Sequence, residues 1–387
     1  MMKSEKNIGL VTYYKENYGS ILQSYATKAF LESMGFRCHI LYQEYDSMQY
    51  FELKLKNLLH HVYKAIRYKG YFSKYVLVRK SMQREKGFLT EIALEKQNNF
   101  VKDVLEPEGF TWKKLRKMAR SENYVAFIAG SDQIWNASIR IDPIYFLKFV
   151  PKEKRIALAP SFGISEIPEY NRKDVQVGLK GFDRISVREK TGEKIIANLC
   201  NVSTIQLTDP VFLLNREQWK KFGKNEKVPT RSYIFVHFLN SPKKQTIYEI
   251  EKLSKLLESQ ILCFSYRYQE YNLFENSIHF DGNPREYVAL IQNAKCVCTD
   301  SFHSTVFSIL LHTSFYIFPR QHLHAMSQSS RVTDLLEQYG LQDKYIASGE
   351  IGECSQLNWD MIDKITERNR SILNEYLIDE IKCCCKL

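Results

Sequence analysis

The sequence predicts an α/β protein of two doubly wound, parallel-sheet domains facing a cleft, and three observations predict it. The chain has 387 residues, more than one hydrophobic core comfortably serves, so two domains of roughly 150–200 residues are expected. Short apolar strand-like runs alternate with amphipathic helix-like segments through both halves, the pattern of βαβ units. A polar stretch from Asn215 to Arg231, ending near Pro229, interrupts that pattern before it restarts, and the domain boundary is expected there. The division is a first domain over residues 1–220 and a second over 230–350. A helix and tail over 355–387 are expected to pack back on the first.

Taken in order, Asn7 to Tyr14 reads as a strand, Ser20 to Met34 as a helix closed by Gly35, and Cys38 to Gln43 as the next strand. A basic helical insertion spans about 50–90. Helices follow from about Thr90 to Leu105 and from Trp112 to Arg120, then strands at Tyr124 to Ala129, Arg155 to Ser161 and Arg184 to Val187. A helix from Thr191 to Leu199 and a strand from Thr204 to Leu207 complete the first half. In the second half, strands are expected at Ser232 to Leu239, Ile261 to Tyr266, Lys295 to Thr299 and Phe315 to Pro319. Helices intervene at Lys243 to Ser259, Pro284 to Asn293 and Thr305 to Leu311, and a long one runs from Trp359 to Ile381. Ligands of such sheets bind in the crevice at the carboxyl ends of the strands.

Composition narrows the class. Apolar residues make up 44% and charged residues 26%, ordinary for a globular protein. No apolar run reaches the roughly 18–20 residues of a membrane span; Val306 to Phe318 is interrupted by His312, Thr313 and Ser314. The first residues lack a long apolar core and a cleavage site, so a cytoplasmic address is expected. Of nine cysteines, Cys38, Cys200, Cys263, Cys296 and Cys298 lie in apolar stretches and read as reduced, buried thiols. Cys296 and Cys298 share a strand face without a further ligand set, so no metal is expected. Cys383 to Cys385 read as an exposed, frayed tail, and His322 and His324 as loop residues.

Net charge is +11, and between Glu52 and Lys86 ten Lys or Arg face two Glu. In that insertion Leu55, Leu58, Leu59, Val62 and Ile66 follow helical spacing, so one face is apolar and the others cationic. Two uses fit: a solvated insertion packed on its domain, or peripheral contact with an anionic membrane. Nucleic acid is not an expected partner, because no zinc, helix-turn-helix or RNA-binding signature accompanies the charge.

Four segments carry candidate chemistry. In Thr299-Asp-Ser301-Phe302-His303-Ser304 a buried strand runs into a capped helix start, whose free N–H groups and positive end suit an anion. His303 falls in the first turn, able to protonate a substrate or leaving group. Arg188 ends a strand at the domain rim, and its guanidinium suits carboxylate or phosphate; the alternative is a surface pair with Glu189. In Gly130-Ser-Asp132-Gln133-Ile-Trp135, Asp132 and Gln133 suit sugar hydroxyls and Trp135 a sugar ring. Asn17-Tyr-Gly19-Ser20, with Gln23 one turn on, is another strand–loop–helix anion or hydroxyl site.

Together these segments resemble one family in order along the chain, the polysaccharide pyruvyl transferases. Asn17-Tyr-Gly19-Ser-Ile-Leu-Gln23, Gly130-Ser-Asp-Gln-Ile-Trp-Asn136, Ala159-Pro-Ser-Phe-Gly163, Ser186-Val-Arg-Glu189, Thr208-Asp-Pro-Val-Phe-Leu213 and Thr299-Asp-Ser-Phe-His303 carry the resemblance from about Ile8 to Leu341. It implies two Rossmann-like domains of GT-B type. It also implies transfer of the enolpyruvyl group of phosphoenolpyruvate to two hydroxyls of a sugar, giving a pyruvate ketal in a bacterial capsule or exopolysaccharide precursor. His303 would be the general acid, Arg188 would hold an anionic group, and Ser301 and Phe302 would line the donor pocket. Asp132, Gln133, Asn17 and Gly19 are the expected acceptor and substrate contacts. Where the family commonly has Gly after the histidine, this chain has Ser304, either filling space at the helix start or trimming the pocket. The family often has an arginine near the place of Ser301; Arg331 or Arg320 is expected to supply that charge. No cofactor or metal is implied beyond the donor, and the acceptor saccharide is free or lipid-linked. The competing readings are a nucleotide-sugar glycosyltransferase of the same fold and a catalytically silent glycan-binding member.

Overall fold

A computed structural model of the protein describes residues 6–15, 17–45, 47–84, 89–139, 141–264, 273–320, 330–348, 350–351 and 356–385. Its first half is built on a five-stranded parallel sheet of order β3-β2-β1-β4-β5. The strands are β1 (Asn7–Val11), β2 (Arg37–Gln43), β3 (Glu108–Phe110), β4 (Tyr124–Ala129) and β5 (Arg155–Ala157). β4 reads Tyr-Val-Ala-Phe-Ile-Ala and is buried throughout; a central parallel strand is covered on both faces, so its sequence is continuously apolar instead of alternating. β6 (Arg184–Val187) and β7 (Ser203–Gln206) form a separate parallel pair. The Ser186 hydroxyl ties that pair to the sheet by accepting from Ala159 N and donating to Ala157 O.

The second half repeats the arrangement. Its sheet has the order β10-β9-β8-β11-β12, with β8 (Tyr233–His237), β9 (Gln260–Cys263), β10 (Ile278–His279), β11 (Cys296–Thr299) and β12 (Phe315–Ile317). In both sheets the winding reverses beside the first strand, between β1 and β4 and between β8 and β11, and such switch points open crevices at the strand ends. This is the two-domain Rossmann-like architecture.

The helices of the first half are α1 (Tyr18–Ser33), α2 (Ser47–Arg67), α3 (Tyr71–Arg84), α4 (Glu91–Phe100), α5 (Trp112–Arg120), α6 (Glu169–Leu179) and α7 (Lys190–Leu199). Then come α8 (Arg216–Gly223), α9 (Lys244–Leu256), α10 (Pro284–Asn293), α11 (Phe302–Leu311), α12 (Ser330–Tyr339) and α13 (Trp359–Cys385). The basic insertion forms α2 and α3. The segment expected as a polar connector instead holds α8, capped by the reciprocal Asn215–Gln218 box. Its polar residues hide a one-sided pattern, because Trp219 and Phe222 are buried and the helix packs on α10 and α11. Residues 265–272 and 321–329, which include the end of the strand expected to reach Tyr266 and the pair His322 and His324, lie outside the described residues.

The long last helix crosses back to the first half. Arg370 Nε donates to Phe212 O at 2.9 Å, Tyr376 Oη donates to Ala157 O at 3.0 Å, and Arg184 pairs with Glu380 at 3.6 Å. Leu373, Tyr376, Leu377 and Ile381 form its buried stripe. Contrary to the expected frayed tail, Cys383 to Cys385 continue the helix. Cys384 and Cys385 pack against the core, and burial pushes the Cys384 thiol up to about 12. The same apolar cluster takes in Ile8, Leu10 and Tyr18 of the first half and Phe235, Leu262 and Val306 of the second, so the two halves share a core. Cys296 and Cys298 are buried on one face of β11 as expected. Among the described residues no helix is long and apolar enough to cross a membrane.

Truncating α13 at its buried stripe tests this packing. Leu377 is fully buried, so Leu377→Ala is expected to lower unfolding stability by about 2–5 kcal/mol, read from urea denaturation.

Candidate active site

The carboxyl ends of the strands of both halves meet around one buried group of charges. Arg188, at the end of β6, is buried together with Glu189, so the alternative of a surface pair is excluded. Arg188 Nη1 donates to Asp209 Oδ2 at 2.5 Å, and Nη2 lies 3.6 Å from Asp132 Oδ1. Its Nε makes no hydrogen bond. Glu189 turns the other way, where its Oε1 accepts from Ser161 Oγ, Phe162 N and Gly163 N at 2.8–3.2 Å. It therefore fixes the loop after β5.

Asp209 was not singled out by sequence reasoning, although it lies inside a quoted motif. Its carboxylate caps the short helical turn Pro210–Leu213 by accepting from Val211 N at 3.0 Å. The other oxygen meets Arg188 and lies 3.4 Å from His303 Nε2, within ion-pair reach though outside hydrogen-bond geometry. Burial raises the Asp209 carboxyl, but attraction from His303 and then Arg188 outweighs it and holds the group well below the usual carboxylate range. A signal was present: an Asp immediately before the apolar run Pro-Val-Phe-Leu has to be buried with it, and a buried carboxylate needs a cation.

Asp132 sits in the left-handed region at φ 69, where Asp is among the better-tolerated residues. That turn aims its carboxylate at α1, where it accepts from the Ser20 hydroxyl, and at its own neighbour, where it accepts from Gln133 N at 2.8 Å. Burial raises Asp132, and the charges of Arg188 and His303 bring it below the ordinary value. With its amide oxygen turned toward α12, Gln133 accepts from Arg331 Nη2 at 2.8 Å and Nη1 at 3.3 Å. Both residues, expected to read sugar hydroxyls, are thus engaged as the frame around two guanidiniums. Trp135 offers no ring to a ligand. It is buried, donates to Tyr145 O at 3.0 Å and stacks on Phe146.

From the second half, α11 brings Ser301, Phe302 and His303. The Ser301 hydroxyl caps the helix by accepting from Ser304 N at 3.4 Å, as the Asn17 side chain caps α1 by accepting from Ser20 N at 3.3 Å. Ser304 is turned inward, its hydroxyl 2.7 Å from Tyr287 Oη. It braces α11 against α10 in place of trimming a pocket. The Phe302 ring lies 4.8 Å from the Arg188 guanidinium and 5.8 Å from that of Arg331, both within cation–π range. Arg320 is held by Asp300, 3.6 Å away. Of the two arginines considered for the extra charge, Arg331 is the one that reaches Gln133 and Phe302. Burial, followed by repulsion from Arg188, pulls Arg331 down to about 9; attraction to Asp132 does not offset it.

The two halves also meet at Gly19. A Cβ there would fall 1.9 Å from His303 Nδ1, so only glycine lets the imidazole lie against the start of α1. Tyr18 next to it donates to Gly282 O at 2.7 Å and stacks on Tyr287 at 5.1 Å. The Gly19 backbone is thereby pinned to the second half, and His303 has protein on two sides. The arrangement collects two buried cations, a histidine at a helix N-terminus and two carboxylates that orient them. Chemically it can hold a doubly anionic molecule and move a proton to or from it. Among the described residues no group of three or more His, Cys, Asp or Glu is placed to hold a metal ion.

Comparison with known proteins assigns the chain to a family. Residues 17–322 match the polysaccharide pyruvyl transferase family. That span is most of the chain, and the protein belongs to this family. Among curated proteins none matches it in sequence. Similar solved structures include UDP-N-acetylglucosamine 2-epimerase from Rickettsia bellii, with 9% identity, TM-score 0.48, and 98% of this chain and 97% of that one covered. The UDP-GlcNAc 2-epimerase of Methanocaldococcus jannaschii shares 10% identity at TM-score 0.47 over 94% of this chain and 99% of that one. Acinetobacter baumannii MurG shares 8% at TM-score 0.40 over 97% and 95%.

The depressed Asp209 carboxyl has a consequence for folding. Its contribution to stability is fully present above the unfolded value near about 4 and is lost as pH falls toward the folded value. Stability of the parent is therefore expected to drop more steeply below about pH 4 than that of Asp209→Asn, measured by denaturant unfolding across the acid range.

Proposed function

We propose that the buried cluster is a phosphoenolpyruvate site and that the enzyme transfers the pyruvyl group to two hydroxyls of one sugar, releasing phosphate. The observation that carries this reading is the meeting of Arg188 and Arg331, one from each half, at Phe302 beside His303. Two like charges buried together repel each other, and burial followed by that repulsion lowers Arg331. A ligand with a carboxylate and a phosphate relieves that repulsion and gains from it. The family membership supports the same chemistry.

In this reading Arg188 and Arg331 hold the two anionic groups of the donor, and the N-terminus of α11 adds its free N–H groups and dipole. His303 gives a proton to the methylene carbon, which becomes a methyl group, and positive charge develops at the neighbouring carbon. One sugar hydroxyl adds there and loses its proton. The bond from that carbon to the phosphate oxygen then breaks, and phosphate leaves with the electron pair. The second hydroxyl adds in turn, loses its proton and closes the ketal. Asp209 sets the tilt of the imidazole and offsets its charge while it carries the proton. The buried setting keeps water from trapping the cationic centre. Asp132, held by Ser20, keeps Arg188 in place. The acceptor is a saccharide, free or lipid-carried, entering between the halves, and the reaction belongs to the cytoplasm, where phosphoenolpyruvate is made.

Phosphate release from phosphoenolpyruvate, offered with a panel of β-galactosides, N-acetylmannosamine derivatives and lipid-linked oligosaccharides, tests the assignment. Release is expected only with an acceptor, and His303→Ala is expected to lose at least roughly a hundredfold in kcat. Release that survives the substitution removes the acid role from His303. No donor binding by calorimetry, with turnover of a nucleotide sugar instead, would transfer the protein to the glycosyltransferases. Gly19→Ala supplies an independent check. Displacing the ring without removing it is expected to cost at least about tenfold in kcat, with Arg331 and donor binding intact.

A further inference from the structure

We propose that the α2–α3 insertion is a docking face for an anionic lipid surface. Phe51, Leu55, Leu58, Leu59, Val62 and Ile66 recur along α2 at spacings of three and four. At about 100° per residue they fall within an arc of roughly 100°. All six are exposed, from 48% for Val62 to 83% for Ile66. Scattered exposed apolar side chains are ordinary, but an unbroken stripe of this length marks a contact surface. Phe72 and Leu77 on α3 are exposed as well.

The stripe points away from the protein because the opposite side of α2 is the anchored one. Lys64 is buried there, donating to Asn171 Oδ1 at 2.5 Å and lying 3.7 Å from Asp174. His61 Nδ1 meets Tyr71 Oη at 2.5 Å, and the Tyr71 ring sits edge-on to Tyr170 at 4.8 Å. Asn171, Asp174 and Tyr170 all belong to α6, so the insertion is fastened to the first half by its polar side.

Charge selects the occupant. From residue 47 to residue 84 the chain carries nine Lys or Arg and one acid, Glu52. Lys54, Arg67, Lys69, Lys74, Arg79 and Lys80 are exposed. A second copy of this chain would bring the same cationic face against itself, which like-charge repulsion opposes. A lipid surface with anionic headgroups accepts both features at once, with apolar side chains entering the acyl boundary and the flanking cations meeting phosphates. This inference stands on the insertion alone and does not depend on the reaction proposed above.

Flotation of the full-length protein with vesicles tests it, using phosphatidylcholine alone and phosphatidylcholine mixed with phosphatidylglycerol. The protein is expected to float with the anionic vesicles, not with the neutral ones, and added salt is expected to weaken the binding. Leu59→Glu with Ile66→Glu is expected to reduce binding by at least roughly tenfold. Both side chains are exposed, so the melting temperature and phosphate release with a soluble acceptor are expected to stay as in the parent. Absence of flotation with anionic vesicles overturns the proposal, as does a double variant that floats as well as the parent. A parent that dimerises in solution without binding vesicles, and becomes monomeric in the double variant, would assign the stripe to self-association instead.

Discussion

A guanidinium buried as Arg188 is keeps its place only when carboxylates come to it, because an isolated charge in the protein interior is far too costly. Asp209 comes from the end of β7 and Asp132 from the turn after β4, so the requirement of one side chain sets where two loops end. Each carboxylate then recruits a further partner. Asp209 reaches His303 across the boundary between the halves, and Asp132 accepts from Ser20 at the start of α1. Removing one member of such a buried set typically costs about 3–5 kcal/mol, since the remaining charge is left uncompensated. The net charge of the cluster, and the directions in which Asp132, Asp209 and Arg188 are shifted, follow from this mutual dependence.

The surrounding scaffold braces the elements that carry the cluster. Gly19 lets the His303 imidazole lie directly on the α1 backbone, and Tyr18 ties that same turn to Gly282 and Tyr287. Ser304 braces α11 against α10 through Tyr287. At the far side, α13 returns from the second half to hydrogen-bond Phe212 O and Ala157 O, one of them within the helical turn that Asp209 caps. A shared apolar core runs through both halves, so the charges lie within a continuous packed interior. Preorganised groups of this kind stabilise a developing charge without having to reorganise during the reaction.

The insertion stands apart from this economy. Among the described residues, Lys64 and Tyr71 make its buried contacts to α6, and the apolar stripe of α2 is exposed. A helix that contributed only to the fold would place its greasy stripe inward, as α13 does. The two helices therefore show the same amphipathic spacing put to opposite uses, one closing the shared core and the other facing outward.

Much of this was legible in the chain itself. Continuous apolar runs such as Tyr124 to Ala129 announce buried parallel strands, and their alternation with helices announces the doubly wound class. Gly19, Asp132, Arg188 and His303 each sit where a strand gives way to a loop or helix, which is why sequence reasoning singled them out. Their motif order carried the family resemblance as well. Three things depended on the tertiary structure, because each is a relation between residues distant in sequence. Asp209 gained its importance only from meeting Arg188 and His303, 21 and 94 positions away along the chain. Arg331, and not Arg320, came to the cluster because Asp300 holds the latter. Trp135 turned from a ring for sugars into a core side chain because Phe146 and Phe162 close over it. Spacing along a chain determines which face a residue occupies; which other face it meets is decided only when the two halves fold together.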